Sequence, residues 1–323
     1  MLSGSDIVLA MLVLGIDAGG SRTTGLLADA GGRVVSTARG PGANLQSAGE
    51  LEVEKVLHQL IEDTLGESPA PAAICLGMAG VDRPDDARII RGILARIGYR
   101  AKVLVVNDAL IALEAGLPGT PGIVMIAGTG SIAYGRDDRG QAARAGGLGH
   151  ILSDEGSGYW LGREALRAVV RAADGRGEQT ALTAPVLRHY DVSEPAHLVR
   201  IVYSSGARPA EIAALAREVG DVADHGDAVA QAIIETGAGE LLRMAESVAR
   251  QLSLSAPVIL QSGGALRGVT RLRTRTEARL TDRLPGCQVR LLDVEPAHGA
   301  VRLALAEVAG HASIPTYHPT TSG

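Results

Sequence analysis

The stretch Ile123-Val124-Met125-Ile126-Ala127-Gly128-Thr129-Gly130-Ser131-Ile132-Ala133-Tyr134 runs apolar into a Gly-Thr-Gly-Ser break and then turns apolar again. That pattern predicts a buried strand, a tight turn and a returning strand. The glycines let another group approach the backbone, and Thr129 and Ser131 add hydroxyls. Successive N–H groups in such a turn form a concave anion site. A plain hairpin with a small-residue turn fits the same residues.

A second copy of the design lies near the N-terminus: Leu12-Val13-Leu14-Gly15-Ile16-Asp17-Ala18-Gly19-Gly20-Ser21-Arg22-Thr23-Thr24-Gly25-Leu26-Leu27. Each copy leads through an acidic, glycine-containing turn, Asp29-Ala30-Gly31-Gly32 or Asp137-Asp138-Arg139-Gly140, to another candidate strand. The repetition predicts two domains of one ancestry. Two glycine loops facing each other across a cleft would hold opposite ends of a polyphosphate.

Composition sets the outer bounds. A chain of 323 residues with 46% hydrophobic residues can build two cores. A net charge of -5 gives no basic field for nucleic acid, and 2% aromatics with no Phe gives no base-stacking platform. The two cysteines, Cys75 and Cys287, are far apart and form no CxxC unit, so no zinc or iron–sulfur framework is expected. Few cysteines fit a reducing cytoplasm. The apolar run Ile7–Ile16 is too short to span a bilayer, so no membrane partner is expected. Met11 reads as the natural start, with residues 1–10 as an upstream extension.

Along the chain, Asp17 ends the first strand. A carboxylate there can hold a hydrated Mg²⁺ against phosphates or simply shape the turn. Asn44 follows a Gly-Pro-Gly loop and can read a sugar hydroxyl or cap the helix expected over 47–65. A strand over 73–77 runs into the small-residue stretch Gly77-Met78-Ala79-Gly80, read as a loop, and residues 86–97 read as a helix. Lys102–Val106 reads as a buried strand, with Asn107 and Asp108 at its C-terminal end, where open α/β sheets meet ligands. Asp108 also opens a helix over 109–116, so an N-cap role fits it as well. Residues 116–122 read as the interdomain crossing.

Residues 141–160 form the densest polar cluster, with Gly147, His150, Asp154, Glu155 and the single Trp160. A helix follows over 159–173, and residues 174–256 read as helical, with the longest helix over 227–252. Pro257–Gln261 is a strand feeding Ser262-Gly263-Gly264, which suits a nucleoside or phosphate site and equally suits close helix–strand packing. Gln288–Leu292 reads as a last strand, Glu295-Pro296 starts a final helix, and the tail from Ala312 reads as frayed.

Taken together, Asp17-Ala18-Gly19-Gly20-Ser21-Arg22-Thr23, Asn107-Asp108-Ala109, Ala127–Ser131, Gly146–His150 with Asp154–Ser157, and Ser262–Ala265 resemble the BadF/BadG/BcrA/BcrD ATPase family of the sugar kinase/Hsp70/actin superfamily. The resemblance covers about residues 11–310. It implies an α/β chain of two ribonuclease-H-like, actin-like ATPase domains flanking a nucleotide and sugar cleft. The domain bounds expected are 11–117 and 118–311, the second with a helical insertion, plus extensions 1–10 and 312–323. ATP would lie on Gly19, Gly20, Ser21 and Thr23, on Gly128, Thr129, Gly130 and Ser131, and on Gly263 and Gly264. Asp17 would stand near Mg²⁺, and Asp108 would be the catalytic base. Asn44, Gly77, Met78, Asn107, Asp108, Gly147, His150 and Asp154 would line the sugar pocket. The family's usual Trp in its Gly-Gly-Trp-Gly-His element is Leu148 here, so one wall of that pocket differs.

The implied activity is an ATP-dependent cytoplasmic kinase that phosphorylates an amino sugar, N-acetylglucosamine to its 6-phosphate, working as a homodimer. Kinases of glucosamine or another hexose are the alternatives within enzymes. A non-catalytic ATP- and sugar-binding regulator, or an ATPase activator, is the alternative of another class. The activators of this family carry an iron–sulfur cluster, for which Cys75 and Cys287 are poorly placed.

Overall fold

The computed structural model describes residues 11–45, 49–81, 84–203 and 208–317. The expected extension 1–10, the start of the 47–65 helix, and the tail beyond 317 lie outside the described residues. The chain divides into two compact units. One comprises residues 1–119 and 293–314, the other 120–292 and 315–323.

The first unit is built on a five-stranded sheet of order β3-β2-β1-β4-β5, with β1 Leu12–Ala18, β2 Arg22–Asp29, β3 Val34–Pro41, β4 Ala73–Met78 and β5 Lys102–Asn107. Strands β1 to β3 form an antiparallel meander, while β4 runs parallel to β1 and β5 parallel to β4. Alternation along β1 assigns the two faces. Leu12, Leu14, Ile16 and Ala18 join one apolar cluster with Val53, Val56, Leu57, Leu60 and Ile61 of α1, Glu50–Leu65, and with Ile90, Ile93 and Leu94 of α2, Pro84–Arg96. The buried positions of α1 recur at the 3.6-residue spacing of an amphipathic helix.

The opposite face takes α3, Asp108–Gly116, and α12, Ala297–Val308, which pack on each other and on β1 and β4. Helix α3 is buried from Ala109 through Ala115; the run is apolar except for Glu114, whose carboxylate accepts from Gly119 N–H. Gly15 is the reason α12 can lie on β1, because a Cβ there would strike the Val301 N–H and the Ala297 carbonyl. The final helix thus belongs to the first unit, whereas the sequence reading ran the second domain on through 311. Strand β5 is half-buried rather than fully buried, because it forms the edge of its sheet.

The second unit repeats the design. Its sheet has the order β10-β9-β6-β7-β8-β11, with β6 Gly122–Ala127, β7 Ser131–Arg136, β8 Gln141–Gly146, β9 Val258–Ser262, β10 Gln288–Leu291 and β11 Thr316–Tyr317. Strands β6 to β8 are an antiparallel meander, and β9 and β10 continue in parallel from β6. Helices α4 Gly158–Ala173, α5 Thr183–His189, α6 Leu198–Tyr203, α7 Pro209–Ala214, α8 Ala216–Asp224, α9 Ala228–Gln251, α10 Gly264–Gly268 and α11 Thr270–Arg283 complete it. Ser157 caps α4 by accepting from Trp160 N, and Asp227 caps α9 by accepting from Ala230 N. Part of the tail expected to fray is a strand: Thr316 and Tyr317 pair with β8, and the Tyr317 ring stands edge-on to Tyr134 at 6.2 Å. Both cysteines are free.

Candidate active site

In the first unit the parallel strands β1, β4 and β5 end side by side. Register places Asp17 against Gly77 and Gly77 against Val106, so Asp17 and the Asn107-Asp108 step share one edge of the sheet. Asn107 caps α3, its Oδ1 accepting from Ala109 N at 2.8 Å. Capping, one of the two roles open to Asp108, therefore falls to its neighbour. Asp108 occupies the first helical position, half-buried, where the helix dipole favours a carboxylate.

Asp17 lies on the α3–α12 face. Its carboxyl is pushed up from the ordinary 3.8 to about 7, first by burial and next by the Asp108 carboxylate; Glu295 adds to the rise and Arg22 opposes it. Among the described residues nothing hydrogen-bonds to this carboxylate. Asp17 is half-buried, and among the described residues no three acidic, His or Cys side chains group closely enough to hold a metal ion by themselves, so a hard cation here would take Asp17 together with phosphate and water oxygens. The sequence reading places Glu295 only at the start of the final helix and gives it no role in the site. It is set just ahead of α12 and ion-paired to Arg39 at 2.8 Å. Arg39 stands opposite Thr24 and Thr24 opposite Asp17, so one row of the sheet runs from Asp17 to the arginine that holds Glu295. Only knowledge that the last helix returns to the first sheet would have exposed it.

The first glycine loop is a tight reversal in which Gly19 N–H donates to Arg22 O at 3.0 Å and Ala43 N–H to Gly19 O at 3.1 Å. Gly20 and Ser21 are exposed at its tip. Thr23 is not: it is fully buried in β2, and its hydroxyl donates to Pro41 O at 2.7 Å. Two further expectations change. Gly77 lies inside β4, where a side chain would collide with Ile111 of α3, and Met78 is fully buried in the α1–α2 cluster, on the face away from Asp17. The loop begins only at Ala79. Asn44 is half-buried, and Gly49 occupies the cap position of α1; residues 46–48 between them lie outside the described residues.

In the second unit the loop 128–131 joins β6 to β7, with Gly128 N–H donating to Gly130 O at 2.9 Å. Strand β9 pairs in parallel with β6, which brings Gly263-Gly264 beside this loop; a Cβ on Gly128 would lie 3.8 Å from Gly264 N. Gly263 has φ 97 and no room for a side chain against the Ala127 carbonyl, so both the turn and the packing demand glycine. Of the two readings of this step, the geometry shows the close packing.

The segment after β8 grips the loop. Gly147 N–H donates to Ser131 O at 2.8 Å, Gly158 N–H to Gly128 O at 2.8 Å and Tyr159 N–H to Thr129 O at 3.2 Å. Ser131 N–H donates to Asp154 Oδ1 at 3.0 Å, and the Ser131 hydroxyl donates to Glu155 O at 2.7 Å. The Ser131 hydroxyl, expected to face phosphate, is thus turned inward. Asp154, expected in the sugar pocket, is 7% exposed and lies under the loop. Burial pushes its carboxyl up, against the Ser131 N–H and His150. His150 is half-buried and meets the Tyr159 ring edge-on at 4.9 Å. On either side of His150 in the chain, Leu148, Ile151 and Leu152 are exposed.

Each unit therefore carries a meander, two parallel strands and a glycine loop at the end of its first strand, which defines the ribonuclease-H-like, actin-like ATPase class. The chain belongs to the BadF/BadG/BcrA/BcrD ATPase family, whose model matches residues 14–304. It is 37% identical over 302 residues to the N-acetylmuramic acid/N-acetylglucosamine kinase of Clostridium acetobutylicum, covering 91% of this chain and 98% of that one. It is 29% identical over 314 residues to the N-acetyl-D-glucosamine kinase of Dictyostelium discoideum, again covering 91% and 98%. A solved structure of a candidate N-acetylglucosamine kinase from Chromobacterium violaceum superposes with a TM-score of 0.74 at 25% identity, covering 92% of this chain and 99% of that one. No helix among the described residues is long and apolar enough to cross a membrane.

Proposed function

We propose that this chain is an ATP-dependent amino-sugar kinase that transfers the γ-phosphoryl group to the 6-hydroxyl of N-acetylglucosamine. The observation that carries the reading is the pair Asp17 and Asp108 on one edge of the first sheet, in a chain of this family. A sensor has no need of a base beside a cation-holding carboxylate. The two kinase relatives support the reading.

Phosphoryl transfer depends on positioning and charge neutralisation more than on covalent chemistry. Asp108, fixed at a helix start, accepts the proton of the attacking hydroxyl. Asp17 would hold the divalent cation, which supplies charge neutralisation on the phosphates when bound. Exposed Gly20 and Ser21 in the first unit, and the Thr129-Gly130 tip in the second, are assigned to phosphate oxygens. Gly263-Gly264 is assigned to the nucleoside, and Asn44 and His150 to the sugar.

The reading is tested by sugar-dependent ADP release with MgATP across N-acetylglucosamine, N-acetylmuramic acid, glucosamine and glucose. N-acetylmuramic acid belongs in the panel because the Clostridium relative's name includes it. A cytoplasmic homodimer completes the proposal, and sedimentation at working concentration checks the assembly.

A further inference from the structure

The short helix α10, Gly264–Gly268, has two sides. Ala265 and Leu266 are buried, whereas Gly264, Arg267 and Gly268 are exposed and share one face at the i, i+3, i+4 spacing. That face is bare at Gly264, where an added Cβ would meet nothing within 4 Å. Its near end adjoins the loop 128–131, since a Cβ on Gly128 would lie 3.8 Å from Gly264 N. Its far end meets Arg217 of α8: a Cβ on Gly268 would lie 3.6 Å from Arg217 Nε. Helix α8 is seated there through Gly220, where a Cβ would lie 2.9 Å from Val269 Cγ1. Arg267 is tied down, its guanidinium donating to Leu292 O. Arg217 is exposed, and among the described residues no ion pair or hydrogen bond holds its guanidinium.

We infer that Arg217 is the stacking residue for the nucleobase of the phosphoryl donor, which lies on the bare face of α10. A base needs a flat partner. Helices α7, α8, α10 and α11 contain no aromatic residue to supply one. A guanidinium is planar, weakly hydrated and stacks on aromatic faces. Arg217 stands at the far end of the glycine strip and breaks no ion pair or hydrogen bond in moving onto a base. The order along the strip suits a nucleotide laid lengthwise, with phosphate at loop 128–131, nucleoside at Gly263-Gly264 and base at Gly268. This role rests on the kinase reading, which puts the nucleoside at Gly263-Gly264, and it adds the residue that holds the base.

The test uses Arg217→Ala and Arg217→Lys in the full chain. Binding of MgADP, of magnesium pyrophosphate and of N-acetylglucosamine is measured separately by calorimetry, together with KM for MgATP. Both variants should keep the wild-type thermal midpoint, because substitutions at an exposed position of this kind cost little. The expected result is that R217A weakens MgADP by roughly fivefold to a hundredfold, the usual weight of one stacked base. Pyrophosphate and sugar affinities stay within about twofold. KM for MgATP rises in step with the loss of MgADP affinity. R217K keeps the charge but loses the plane, so it stays nearer to R217A than to wild type. Unchanged MgADP affinity in R217A overturns the inference. So does an equal loss for pyrophosphate, which would assign Arg217 to phosphate, and so does full recovery in R217K, because charge alone would then suffice. A wild-type chain that binds MgADP but phosphorylates no sugar sinks the kinase reading, while the comparison of MgADP with pyrophosphate still tests Arg217.

Discussion

At the start of α3, Asn107 rather than Asp108 is the cap. The Asn107 side chain satisfies the helix start at Ala109 N, so the carboxylate one residue on is not consumed as a cap. Asp108→Asn should lower kcat by about 10²–10⁴-fold, the usual weight of a general base, with the thermal midpoint little changed. A variant with wild-type kcat would remove Asp108 from the mechanism. Asp17 makes a pH prediction. Its folded pKa of about 7 lies above the ordinary 3.8, so the folded chain keeps a proton that the unfolded chain has released. Stability from this group is complete below about pH 4 and is lost as pH rises through about 7. Asp17→Asn should therefore melt above wild type at pH 8, without added cation, by roughly 2–8 °C, and the gap should close as pH falls toward 4. A gap independent of pH would contradict the assignment. In wild type, Mn²⁺ affinity should strengthen as pH rises through 7, because cation and proton compete for the same carboxylate.

At the scale of elements, the joint between α12 and β1 decides what the first unit is. Gly15→Ala would push a methyl into the backbone of α12 at Ala297 and Val301. Overpacking of that kind costs about 1–3 kcal/mol, a fall of roughly 2–8 °C for a unit of this size. Gly20→Ala, with nothing within 4 Å of its added carbon, is the control and should leave the midpoint unchanged. Equal midpoints for the two variants would place α12 elsewhere. The same joint marks the limit of what the sequence discloses. The strand–glycine–strand runs are local, and both meanders form as their alternation predicts. The helices α4 and α9 begin within a residue of their expected starts because caps and periodicity are local too. Which sheet the last helix covers is a long-range fact, carried by a glycine in β1 and another in α12, and no local pattern announces it. That Thr23, Met78 and Asp154 are buried was not legible for the same reason. Residue type and spacing mark a polar or small stretch, but the face of the strand decides whether a side chain meets solvent or core.

The whole molecule is one design used twice. Each sheet has an antiparallel meander followed by two parallel strands on the far side of the first strand, β3-β2-β1-β4-β5 and β8-β7-β6-β9-β10. The two copies have diverged in what they carry. The first holds the carboxylates Asp17, Asp108 and Glu295, and the second holds two adjoining glycine turns with the Asp154 carboxylate beneath the loop that follows β6. The decisive measurement is coupled ADP release with MgATP, for wild type and Asp108→Asn, with N-acetylglucosamine present and absent. The account predicts release that depends on the sugar in wild type and falls by two orders of magnitude or more, on the order of the general-base contribution, in the variant. Release that ignores the sugar, or none from a chain that still binds ATP, would contradict it.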